Sequence, residues 1–146
     1  MGNILNNPGL MIPIITWFIV QSVKVFSELI AYKKLNIKRL WGSGGMPSSH
    51  SAFVSSLTTV VALGEGIESL LFAVCLIFST VVMYDAAGVR RAAGKQARVL
   101  NQILESKGDI NIQEKLIELL GHTPIEVFVG ALVGIVSGVA LYGCWK

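Results

Sequence analysis

Four stretches of this chain are apolar enough to cross or enter a bilayer: Leu10 to Ala31, His50 to Leu63, Ser69 to Ala87, and Pro124 to Tyr142. Each is near or somewhat below the roughly 20 residues that a helix needs to cross the hydrocarbon of a bilayer. Lipid cannot hydrogen-bond a bare backbone, so a crossing segment must be a helix or a strand of a closed barrel. The alternating apolar and polar pattern of barrel strands is missing from the sequence. The expected fold class is therefore all-α: a polytopic membrane helical bundle with four spans, forming one integral membrane domain over residues 1–146. The second span is the shortest and is broken by Gly64 and Gly66. Composition agrees, since 53% of the residues are hydrophobic, 14% are charged and the mean hydropathy is +0.65. A soluble domain carries about 25% charged residues.

The amino terminus, Met1 to Asn6, has no basic region of the secretory-signal type, and Asn6 stands where a myristoylation signal wants Ser or Thr. The first span is accordingly expected to stay in the mature protein. Cys75 and Cys144 lie inside apolar runs, far apart and without metal-ligand spacing, and read as packing residues.

Between the third and fourth spans runs a long polar stretch, Gly88 to Gly121, with two amphipathic helical pieces expected at about Val89 to Ser106 and Ile112 to Leu120. Asp109, with Ile112 and Glu114 after it, reads as the turn and helix start between them. The first loop carries Lys33, Lys34, Lys38 and Arg39, and the third carries Arg90, Arg91, Lys95, Arg98, Lys107 and Lys115. On the opposite side only Lys146 is basic, and the second loop contributes Glu65 and Glu68. An even number of spans puts loops one and three on the same side, and the positive-inside rule makes that side cytoplasmic. The expected location is an inner membrane of bacterial type with the functional face toward the cytoplasm. Basic residues gathered to bind phosphate would produce the same asymmetry.

Ionisable residues inside spans are costly and tend to be functional. Gln21, Lys24 and Glu28 share one face of the first span. Lys24 either pairs with Glu28 one turn on or points into the bundle toward an anion. Asp85 precedes Arg90 and Arg91 at the end of the third span and suits a residue that holds one of those arginines in place. In the fourth span His122, Glu126, Gly130, Gly134 and Gly138 recur every four residues. The glycines let another helix approach closely. Glu126, one turn after His122, can accept the imidazole N–H and fix its tautomer.

The second span is preceded by Gly42-Ser43-Gly44-Gly45-Met46-Pro47-Ser48-Ser49-His50-Ser51. Glycines allow tight turns, Pro47 suits a helix start, and Ser48 and Ser49 place hydroxyls where free N–H groups and the helix dipole attract anions. The bland reading is an ordinary capped helix after a glycine-rich loop. His50 argues for a phosphate cradle, because a histidine beside a bound anion can protonate a leaving oxygen.

Pro47-Ser48-Ser49-His50 is similar to the PSGH motif of the type 2 phosphatidic acid phosphatase superfamily, which also includes vanadium haloperoxidases. The segment His122 to Gly130 is similar to the HxxxD motif that opens the last helix of that superfamily. Together with the GGMPSSHS and DAAGVRRAAGKQA runs, nearly the whole chain resembles the divergent bacterial and plant branch of the superfamily. The resemblance implies phosphomonoester hydrolysis through a phosphohistidine, with no metal and no other cofactor. By that analogy His122 is the nucleophile, Glu126 orients it in place of the family's aspartate, and His50 protonates the leaving alcohol. Ser48 and the backbone N–H groups of Ser49 and His50 would hold the phosphoryl oxygens, with Lys24, Arg39, Arg90 and Arg91 supplying positive charge.

The chain departs from the family pattern at four places. Ser49 replaces the motif glycine, Glu126 is one methylene longer than aspartate, Leu116 occupies the position of the motif arginine before His122, and the lysine and Arg-Pro of the first motif are not legible. Arg90, Arg91 or Arg98 would have to supply the missing arginine, the first two lying nearest the membrane. A basic amphipathic helix that only binds acidic headgroups is the rival reading of those residues.

The function expected is a membrane phosphatase acting on a lipid or prenyl phosphate monoester or pyrophosphate. The alternative is a non-catalytic lipid-phosphate binding or carrier protein that keeps the cradle, and a weaker third reading is a helical scaffold. The partners expected are the phosphorylated lipid and the bilayer, with no nucleic acid. Because the better-known relatives have six spans, a second copy is expected to complete the bundle as a homodimer through the glycine face of the fourth span.

Overall fold

The structure, a computed structural model, describes residues 4–33, 45–106, 116–118 and 120–145, without the side chains of residues 31 and 32. Among the described residues, five α-helices follow a short 3₁₀ turn at Ile4–Asn6: α1 (Pro8–Tyr32), α2 (Ser49–Glu65), α3 (Leu70–Ala87), α4 (Val89–Ser106) and α5 (Pro124–Trp145). Local chemistry sets their ends. Asn7 caps α1 by accepting the Gly9 N–H at 2.9 Å, with Pro8 at the first helical position. Ser48 and Ser69 cap α2 and α3 through their hydroxyls. The second span ends at Glu65, and Gly66 follows at φ +86°, a conformation that favours glycine.

The protein is an all-helical membrane bundle. Among the described residues, three helical runs, beginning at Pro8, Leu70 and Pro124, are long and apolar enough to cross a bilayer. The counterpart of the remaining expected span, α2, has 17 residues and so extends about 25 Å at 1.5 Å per residue. It packs against α1, α3 and α5. That position explains its sequence: Ser51, Ser55, Ser56 and Thr58 are buried, whereas Ile77 and Val81 on α3 and Phe128 and Val136 on α5 are exposed. Apolar residues on the outer helices suit lipid contact, and the hydroxyls at the centre bond to protein. The Thr58 hydroxyl donates to the Val54 carbonyl at 2.9 Å and lies 2.7 Å from the Ser79 hydroxyl, which donates to the same carbonyl at 3.0 Å. Small residues and hydroxyl bonds of this kind hold helices together where apolar surface gains nothing from leaving lipid.

The glycine face of α5 is spent inside the chain, contrary to the expectation that it joins two copies. A Cβ built on Gly130 would lie 2.4 Å from the Ser48 carbonyl oxygen, one on Gly134 would lie 2.4 Å from that of Ala52, and one on Gly138 would lie 2.9 Å from the Thr59 Cβ. The stripe lets α5 approach the α2 backbone more closely than any side chain would permit, so that face is already covered.

The first amphipathic piece forms α4 over the expected residues, and the second, expected over Ile112 to Leu120, is not helical at the residues described there. Leu116 to Glu118 and Leu120 are non-helical, while residues 107–115, including the Asp109 turn, lie outside the described residues. The reason lies on α4. The Asn101 amide donates to the Leu116 carbonyl at 2.9 Å and accepts the Leu116 N–H at 3.1 Å, taking the backbone groups a helix would have used. Gly94 makes room for the returning strand of chain, since a Cβ there would meet the Glu118 carbonyl oxygen at 2.5 Å and that of Leu120 at 2.9 Å.

Candidate functional site

The two motifs of the sequence meet at one end of the bundle. The backbone N–H of Ser48, at the cap of α2, donates to the Glu126 carbonyl in the first turn of α5 at 3.0 Å. The N–H of His122 donates to the Ala86 carbonyl at the end of α3, at 2.9 Å. Gly121, at φ +81°, is the hinge that makes this possible: a Cβ there would lie 2.3 Å from the Arg91 backbone nitrogen. Three helix ends are thus tied by main-chain contacts before any functional side chain is considered.

His50 and His122 face one another with ring centroids 6.1 Å apart and planes at 63°. His122 is buried, and its Nδ1 lies 3.3 Å from Glu126 Oε2. The same carboxylate oxygen accepts the Thr123 N–H at 2.9 Å, while the Thr123 hydroxyl accepts the Glu126 N–H at 3.3 Å. This is a reciprocal capping box around Pro124. Glu126 therefore both starts α5 and orients the imidazole. An Nδ1–H donated to Glu126 leaves the Nε2 lone pair available for attack. Burial pushes the His122 imidazole below the ordinary histidine value; the Glu126 hydrogen bond opposes this, and the nearby Lys24 and Arg90 charges reinforce it.

Ser48 is fully buried, and its hydroxyl oxygen accepts both the Ser51 N–H at 3.3 Å and the Ser51 hydroxyl at 3.0 Å. Lys24 points into the bundle: it is 3% exposed, and its ammonium donates to the Ser49 hydroxyl at 3.4 Å. A buried cation is thus aimed at the start of α2, where backbone N–H groups also gather. Arg90 reaches the same region from α4. Its Nε donates to Asp85 Oδ2 at 2.6 Å, the supporting pair expected of Asp85. Arg98 pairs instead with Glu118 at 3.3 Å, and Arg91 is half-buried with its backbone against Gly121. Arg39 lies outside the described residues, as do Gly42 to Gly44.

Beside this cluster opens a groove of about 430 Å³ lined by Trp17, His50, Phe53, Val54, Phe78, Val82 and Arg90. Its walls are aromatic and aliphatic, and its two polar residues are His50 and Arg90. His122, next to His50, does not line it. Thr123, Asn101 and the aromatic wall did not emerge from the sequence reading. The Thr-x-x-Glu signature of a capping box was legible at Thr123, whereas the groove is assembled from α1, α2, α3 and α4 and has no local signal.

The chain is 43% identical over 151 aligned positions to the uncharacterized membrane protein YuiD of Bacillus subtilis (strain 168), an alignment that covers 94% of this chain and 96% of the relative. No solved structure matches it. Residues 5–137 match the family described as the divergent PAP2 family, and the chain, an integral membrane protein, belongs to that family.

Proposed function

We propose that the protein is a membrane phosphatase that hydrolyses a phosphate monoester or pyrophosphate of a lipid or prenyl alcohol through a phosphohistidine. The observation that carries this reading is the pair of histidines, 6.1 Å apart, delivered by two different helix starts. At that separation both rings can touch one phosphoryl group. Lys24 and Arg90 bring positive charge to it, and the free N–H groups at the start of α2 offer hydrogen bonds to its oxygens.

In the first step His122 Nε2 attacks phosphorus, an N–P bond forms, and the P–O ester bond breaks. His50, entering protonated, gives its proton to the departing alkoxide oxygen. In the second step His50, now neutral, takes a proton from water as that water attacks phosphorus. The N–P bond breaks, inorganic phosphate leaves, and both imidazoles return to their starting states. Glu126 holds the Nδ1 proton throughout and offsets the charge that His122 carries as phosphohistidine. The apolar groove ending at His50 and Arg90 suits a substrate with a hydrocarbon tail and a phosphate head. The excess of Lys and Arg in loops one and three supports a cytoplasmic orientation of the functional face.

The test is phosphate release by purified protein in nanodiscs from phosphatidate, a polyprenyl phosphate and a polyprenyl pyrophosphate. Turnover of at least one, abolished by His122→Ala and accompanied by an acid-labile phosphoprotein in wild type, is the result expected. Tight vanadate binding with no turnover of any substrate would replace the enzyme with the carrier reading.

A further inference from the structure

Helix α4 does more than carry Arg90 to the groove. Among the described residues it packs against no other helix than α3, the helix it follows. One side of α4, bearing Gly94, Ala97 and Asn101, is buried and receives the chain returning toward His122. At 100° per residue a second side bears Val89, Val99, Leu100 and Ile103, each between 46% and 63% exposed, with Gln96 the polar residue among them. The third side bears the basic residues Arg91, Lys95 and Arg98. An exposed apolar face bordered by cations is out of place in water, and the helix is too charged to enter hydrocarbon.

Position supplies the occupant. With 18 residues α3 spans about 27 Å, close to the hydrocarbon thickness, so Gly88 and the first turn of α4 lie at the bilayer boundary. There an apolar face can sink among acyl chains while the adjoining cations meet lipid phosphates. We infer that α4 lies in the membrane interface, with Val99, Leu100 and Ile103 in the lipid and its basic edge bound to anionic headgroups. The attachment is independent of turnover: it holds whether the groove releases phosphate or only binds it.

The experiment uses full-length protein in nanodiscs, with Cys75→Ala and Cys144→Ser, and one new cysteine carrying a bimane label at Val99, Ile103 or Gln102. Acrylamide, which is uncharged, reports contact with water, and a nitroxide lipid reports contact with chains. In phosphatidylcholine containing phosphatidylglycerol, the labels at Val99 and Ile103 are expected to be quenched by the nitroxide lipid and several-fold less by acrylamide than the label at Gln102, on the basic side. In pure phosphatidylcholine, or with Lys95→Glu, that protection is expected to fall. Equal access of acrylamide to all three labels in both lipids overturns the proposal. Protection at Val99 and Ile103 that ignores lipid charge overturns its anionic part, and protection that scales with the number of chains per disc assigns the face to a second copy instead.

Discussion

His122 Nδ1 and Glu126 Oε2 stand 3.3 Å apart, and that carboxylate oxygen is also the acceptor that closes the capping box with Thr123. One side chain thus links the start of a membrane helix to the tautomer of the imidazole before it. Replacing Glu126 with Gln keeps an oxygen for the Thr123 N–H but removes the negative charge facing the ring. We expect E126Q to fold with a melting temperature near that of wild type and to lose about 10²-fold or more in turnover. E126A loses both functions, with a stability cost of about 1 kcal/mol for the cap. Thermal unfolding in detergent and phosphate release on the same samples separate the two effects.

The pH dependence follows from the burial of His122, which lowers its pKa from the ordinary histidine value of 6.5. The nucleophile must be neutral, so the acid limb of kcat/KM, which reports His122 in the free enzyme, is expected below pH 6.5, not at it. For stability, the unfolded chain takes up a proton at His122 at a higher pH than the folded one. The contribution of this group is therefore fully present above the unfolded value and is lost as pH falls from there through the folded value. A pH series of unfolding midpoints, compared with His122→Gln, isolates it; an equal slope in both would refute the assignment.

Lys24 is a buried cation 3.4 Å from the Ser49 hydroxyl. A charge held that way is rewarding to a bound anion. Lys24→Met is expected to weaken vanadate binding by about tenfold or more, the worth of a charged hydrogen bond. Titration of vanadate by calorimetry reads this effect directly.

The glycines of α5 divide into those that touch α2 and those that do not. A Cβ on Gly134 meets backbone at 2.4 Å, whereas one on Gly143 meets nothing within 4 Å. Gly134→Ala is expected to destabilise the protein by about 1–3 kcal/mol, the range for overpacking, and Gly143→Ala to be neutral within experimental error. Denaturation of each variant in mixed micelles tests the pair.

Asn101 holds the chain that leads to His122 through two bonds to Leu116. Asn101→Leu is expected to raise amide exchange at Leu116 and to lower turnover without altering the groove. Hydrogen exchange followed by mass spectrometry checks this, with Gln102→Leu, on an exposed position of the same turn, as the control.

Much of this was readable from residues in order. Apolar length marked the spans, and the start of α2 was visible in Pro47, Ser48 and Ser49 because capping is a short-range affair. The four-residue recurrence in α5 announced a close helix contact but not with whom, since a glycine stripe reports only that a neighbour comes near. A partner in another copy and a partner in the same chain leave the same pattern, and here α2 is that partner. Leu116 to Leu120 carries apolar residues at helical spacing, yet Asn101, fifteen residues earlier, claims its backbone; periodicity cannot register a competitor so distant. The aromatic wall of Trp17, Phe53 and Phe78 was invisible for the same reason, each residue looking like ordinary lipid-facing bulk in its own helix.

The seating of Gly130 and Gly134 on the Ser48 and Ala52 carbonyls has a mechanical meaning. These contacts work like the teeth of a ratchet, fixing how far α5 is slid and turned against α2. Turning α5 by one residue would swing His122 through about 100° and carry it off its line toward His50. Damage at Gly138, some 20 Å along the helix axis from Pro124, should thus be felt first at the histidines, as misalignment of the two rings, before it is felt as loss of fold.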